Sequence, residues 1–94
     1  GDYQTVQGSI TLSRVHLGKL VVAESESAIT IVLPNGTNKQ EVEIDNIGTG
    51  TVTLSGTLRT GATTATAVTI ESGDAVAAKW IGGAWLLIGS YGEA

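Results

Sequence analysis

Glu41, Glu43 and Asp45 alternate along the stretch EVEIDN, a spacing that lines three carboxylates along one face of an extended strand. Carboxylates sharing a face can serve general acid–base hydrolysis or hold Ca²⁺. The same alternation turns Val42 and Ile44 the other way, which makes the acids the solvated side of an amphipathic strand. Like charges two residues apart also discourage edge-to-edge pairing. The second reading is the expectation, with no catalytic residue, metal or cofactor. The single His16 lies in a strand connection without a Ser or Cys motif to activate and without the H-x-H spacing of a shared metal ring. It is expected at the surface or between subunits. Glu24 and Glu26 flank serines in a polar turn, and Asp74 follows Ser72 and Gly73 as a turn cap. The glycine clusters at 48–50 and 82–83 precede no helix, so they are not phosphate loops. An enzyme is not expected.

Recognition chemistry is the other possibility. Residues 56–65, GTLRTGATTA, read as a long exposed loop with Leu58 as its one anchor. The loop offers Thr57, Arg59, Thr60, Thr63 and Thr64. A row of hydroxyls with one guanidinium suits sugar hydroxyls, a phosphate or a carboxylate of a surface glycan. The turn at 35–40, NGTNKQ, adds Asn35, Asn38 and Lys39 with a similar make-up. The plainer reading of both is a solvated connection.

The elements that must position these residues are strands. Thirteen glycines, thirteen threonines and one proline make a chain rich in turns and β-branched residues. Short apolar stretches centre on Ile10, on KLVVA at 19–23, on 28–33, on 41–46, on 51–55 and on Val68 and Ile70. Pro34 stops the third of these regions, and residues 48–50 turn the chain so that 41–46 and 51–55 are expected to form a hairpin. No segment carries a helical period, and no sequence repeat is visible. Residues 75–90, AVAAKWIGGAWLLIGS, form the most definite hairpin: Gly82 and Gly83 suit a primed turn, which sets Trp80 against Trp85 and Ile81 against Ala84. Trp80, Trp85 and Leu87 are the candidate hairpin and core anchors. One tryptophan is otherwise free to sit at a subunit contact or at the surface.

Ninety-four residues with no Cys make one domain whose core must do without disulfides or a Cys-based metal site. Residues 1–8 read as a lead-in and 9–94 as a single β-sandwich domain. A chain that opens on Gly1 and holds no Met reads as a piece of something longer. A net charge of −4 with scattered cations excludes nucleic acid, and the apolar stretches are far too short for membrane insertion. Aromatic residues are only 4% of the chain, a thin supply for a self-sufficient core, so an oligomer is expected. About eight strands with regular turn signals predict an all-β fold, a small antiparallel sandwich of jelly-roll type.

The order of these features resembles a small β-domain of bacteriophage tail fibres, tailspikes and tail needles. In that family a G-K-L-hydrophobic strand leads to a strand ending in Leu-Pro. An I-x-N-x-G-(S/T)-G-x-V-(T/S) segment follows, then a closing strand pair with glycines at the turn and a Trp just beyond. The matching positions are Gly18, Lys19 and Leu20, then Leu33 and Pro34, then 44–53, then 82–85. The likeness spans 16–89, and Trp80 departs from it by its bulk. What the resemblance implies is a jelly-roll-like homotrimer near the distal end of a phage tail protein, in the virion and outside the cell. It implies a non-enzymatic tip domain that binds a host-surface polysaccharide or protein receptor. A structural trimerisation cap is the alternative. A carbohydrate-binding module of a bacterial enzyme is a further one, and an exposed aromatic platform would favour it.

Overall fold

Val, Ile and Thr fill the alternating stretches, and their branched side chains favour a pleated backbone. In the computed structural model, which describes residues 3–94, every regular element is a strand. The strands are β1 (Tyr3–Val6), β2 (Ile10–Thr11), β3 (Leu20–Ala23), β4 (Ile29–Val32), β5 (Glu41–Asn46), β6 (Val52–Thr60), β7 (Thr63–Ile70), β8 (Ala75–Ile81), β9 (Ala84–Gly89) and β10 (Gly92–Glu93).

The first six strands wind as three rungs. β1, β3 and β5 stack in parallel on one side, and β2, β4 and β6 stack in parallel on the other. Leu20 faces Glu43 and Ile31 faces Leu54, so the second and third rungs keep one offset of 23 residues on both sides. Inward side chains stack along the rungs: Ile10, Ile31, Leu54 and Val68 in one ladder, and Val21, Ile44 and Val76 in another. Ile31, Ile44 and Leu54 are fully buried. Each such side chain contributes about 1.5–3 kcal/mol by leaving water.

The remaining strands close one end of this stack. β7 folds back antiparallel on β6, and β8 lies antiparallel on β5. β9 pairs antiparallel with β8 and, at Trp85 and Leu86, parallel with Leu58 and Arg59 of β6, which joins the two sides into one mixed sheet. The hairpin of β8 and β9 has the register that the spacing predicts, with Gly82 and Gly83 at φ 63° and 83°.

The fold is therefore all-β, but it is not an antiparallel jelly-roll sandwich of about eight strands. Among the described residues there are ten strands, and five of their nine pairings are parallel. The difference arises at the corners. β5 and β6, expected as a hairpin, do not pair with each other; residues 47–51 carry the chain from one side to the other. That corner lies flat on the corner above it: Gly50 N–H donates to Ser25 O at 2.9 Å, and Ile47 N–H donates to Ala23 O at 2.9 Å. Period-two alternation is the same in a hairpin and in a rung, so sequence pattern does not separate them. Residues 3–6, expected in the lead-in, form β1, and Val6 joins the core. Gly1 and Asp2, the rest of that lead-in's start, lie outside the described residues.

Candidate functional site

The alternation of β5 places Val42, Ile44 and Asn46 in the interior and Glu41, Glu43 and Asp45 on the outer face of the β1–β3–β5–β8–β9 side. Glu41 sits opposite Lys79 and pairs with it at 3.1 Å. Glu43 and Asp45 lie opposite Ala77 and Ala75, which offer no charge. The Glu43 carboxyl is pushed above the ordinary glutamate value, first by a hydrogen bond with Asp45, then by partial desolvation, then by the Asp45 charge. Asp45 Oδ1 is buried without a hydrogen-bond partner. No group of three metal-ligating side chains is present among the described residues. Glu41 and Glu43 border an open groove of about 610 Å³, lined also by Lys19, Lys79, Leu20, Ile81, Leu86 and Ile88. The arrangement is a sheet face that mixes aliphatic side chains with acids and lysines.

Residues 56–65 are not a loop. β6 and β7 run through them as a hairpin that turns at Gly61, φ 70°, and Ala62. Threonine is a strong strand former, and here that preference decides. The register sets Arg59 opposite Thr64 and Thr60 opposite Thr63, so the two pairs occupy opposite faces. The hydroxyls of Thr60 and Thr63 lie 3.0 Å apart. Thr57 follows Gly56 in a bulge between Ser55 and Leu58. Thr60, Thr63 and Thr64 line a second groove of about 450 Å³ with Tyr91 and Glu93. Arg59 is turned instead toward Leu86, on the face that carries Lys79. Asn35, Asn38 and Lys39 are exposed in the connection from β4 to β5, where Lys39 N–H donates to Trp80 O at 2.9 Å. Of the predicted recognition residues, Thr60, Thr63 and Thr64 thus border one groove, and Arg59, Asn35, Asn38 and Lys39 lie outside it.

Both tryptophans point inward. Trp85 is fully buried, Trp80 is half-buried against it, and their rings meet edge to face with centroids 5.4 Å apart. Leu87 is buried beside them. Gly36 lies flush on this pair; a Cβ there would stand 2.8 Å from Trp85. No exposed aromatic platform results from either tryptophan. His16, expected at the surface or between subunits, is buried, and its Nδ1 accepts the Ser13 backbone N–H at 3.0 Å. It holds the turn between β2 and β3 closed.

Sequence reasoning passed over Asn46. Its side chain is buried, donates to Gly50 O at 2.9 Å and to Ile70 O at 2.8 Å, and accepts Gly48 N–H at 3.1 Å. The available signal was Asn two residues before the first glycine of GTG. Comparison with protein-family models, with curated proteins and with solved structures found no match.

Proposed function

We propose that this chain is a non-enzymatic terminal domain of a fibrous phage tail protein, one whose copies associate and whose fold closes the end of the fibre. One observation carries the structural part: β1 and β2 are both edge strands at the same end of the rungs, whereas β7, β8 and β9 close the other end by antiparallel pairing. Parallel rungs extend by stacking on open edges, and terminal units of such stacks are atypical caps. The phage assignment, and with it a place in the virion outside the cell, rests on the order of the G-K-L, L-P, I-x-N-x-G-T-G and G-G-x-W motifs. Association into a trimer draws on the low aromatic content and the absence of disulfides.

A second reading, attachment to a host-surface polysaccharide or protein receptor, is favoured by the groove that gathers Thr60, Thr63, Thr64, Tyr91 and Glu93. The carbohydrate-module reading has less support, because Trp85 and Trp80 pack inward.

Sedimentation of the purified chain, together with adsorption of the labelled chain to bacterial cells and envelope polysaccharide, tests these readings. A particle near three times 9.6 kDa that does not adsorb fits the closing domain. Adsorption that is lost in Thr63→Val/Thr64→Val with the fold intact fits attachment. A folded monomer that adsorbs to nothing overturns both.

A further inference from the structure

Five large hydrophobic side chains are exposed among the described residues, and Tyr3, Ile81 and Ile88 all belong to the outer face of the β1–β3–β5–β8–β9 side. Tyr3, Leu20, Glu43, Ala77 and Ile88 stand opposite one another in sequence, a single row across five strands. At the usual strand spacing that row is about 19 Å long. Tyr3 is 56% exposed and Ile88 64%, although each stands on an ordered strand. Large exposed apolar side chains gathered on one face mark an interaction site.

The face is also charged unevenly. On β5, Glu43 and Asp45 have only Leu20, Val22, Ala75 and Ala77 across from them. Three strands away on β6, Arg59 stands between Leu86 and Thr64 and makes no ion pair among the described residues. Lys79, between them on β8, is engaged with Glu41, so Glu43 and Asp45 on one side and Arg59 on the other are left without an ion-pair partner among the described residues. A second copy supplies each side with what it lacks, a complementarity that self-association requires.

We propose that this face is the surface on which copies of the chain pack, with Ile81 and Ile88 as apolar anchors on its β8–β9 side and Arg59 of one copy set against Glu43 and Asp45 of the next. The inference rests on the self-association reading and names its surface. Three rows over five strands cover about 500 Å² per copy, so the pair reaches about 1,000 Å², the lower bound for a specific interface.

Sedimentation velocity over a concentration series is the test, with circular dichroism to confirm the fold. Ile88→Glu is expected to weaken association at least about thirtyfold, the loss of one apolar anchor. Should that variant not fold, Ile88→Thr keeps a strand former at the site and is read in the same assay. Ile47→Glu, at a position 61% exposed in the corner after β5, is the control and should associate as wild type does. Arg59→Glu should weaken association, and adding Glu43→Arg should restore it. Undiminished association of the folded Ile88 variant, or equal weakening by Ile47→Glu, overturns the surface while leaving self-association standing. A monomeric wild type overturns self-association itself.

Discussion

The indole Nε1–H of Trp85 donates to the carbonyl oxygen of Pro34 at 2.8 Å, which ties β9 to the connection leading out of β4. Pro34 ends β4 because it cannot donate to the ladder, and its carbonyl is free to accept at this point. The bond joins the closing hairpin to the rung stack beneath it. Trp85→Ala should cost about 3–5 kcal/mol, the range for emptying a large aromatic site. Trp85→Phe keeps most of the ring but leaves the Pro34 carbonyl unpaired, at a cost of about 1–3 kcal/mol. Urea titrations followed by circular dichroism should rank the alanine variant below the phenylalanine variant and both below wild type. Equal midpoints for all three would remove Trp85 as the anchor.

The stacked corners make a second prediction. A Cβ on Gly48 would overlap the Ser25 backbone, and one on Gly50 would overlap the Ser27 carbonyl. Gly48→Ala and Gly50→Ala should each cost about 1–3 kcal/mol through forced backbone shifts. Gly8 has open space around its Cβ position, and Gly8→Ala should be near neutral. Thermal melting of the three variants separates a packing requirement from a general preference for glycine; equal shifts would refute the stacked corner.

Asn46 holds the same corner from inside. Asn46→Asp retains an acceptor for Gly48 N–H but turns a carboxylate toward the Gly50 and Ile70 carbonyls. Burial near these oxygens raises the carboxyl's folded-state pKa, so ionisation opposes folding. The stability deficit of Asn46→Asp should therefore widen as pH rises above about 4, the unperturbed aspartate range. Melting curves from pH 3 to pH 7 check it, and a deficit independent of pH would contradict a buried carboxylate.

Glu43 carries a smaller effect of the same sign. Its folded-state pKa lies above its ordinary value, so the folded chain binds more protons than the unfolded one as Glu43 titrates. The contribution of Glu43 is fully present below the ordinary glutamate value and is lost as pH rises through the raised one. Glu43→Gln should flatten that part of the stability–pH curve and be at least as stable as wild type near neutrality. Denaturation midpoints at several pH values measure it, and an unchanged slope in the variant would detach Glu43 from Asp45.

Extended structure, the inward set Val42, Ile44, Val52, Leu54, Val68 and Ile70, and the Trp80–Trp85 register were all determined by the sequence alone. Alternation and a Gly-Gly turn are local signals, and local backbone preference decides them. The 23-residue repeat between the second and third rungs escaped notice because it survives mainly at inward positions, Thr30 and Thr53 apart. Val21 matches Ile44 and Ile31 matches Leu54, whereas outward Leu20 meets Glu43 and Val22 meets Asp45. Stacking selects for matched interiors and leaves the outer face free. Which strands become neighbours depended on contacts between corners far apart in the chain: Gly48 and Gly50 against Ser25 and Ser27, and the Asn46 amide against Ile70. The same holds for the threonines of β6 and β7, which face opposite ways because of their register, and for His16, buried by its bond to Ser13. Such relations are set by which backbones approach closely enough to share hydrogen bonds, and only the tertiary structure decides that.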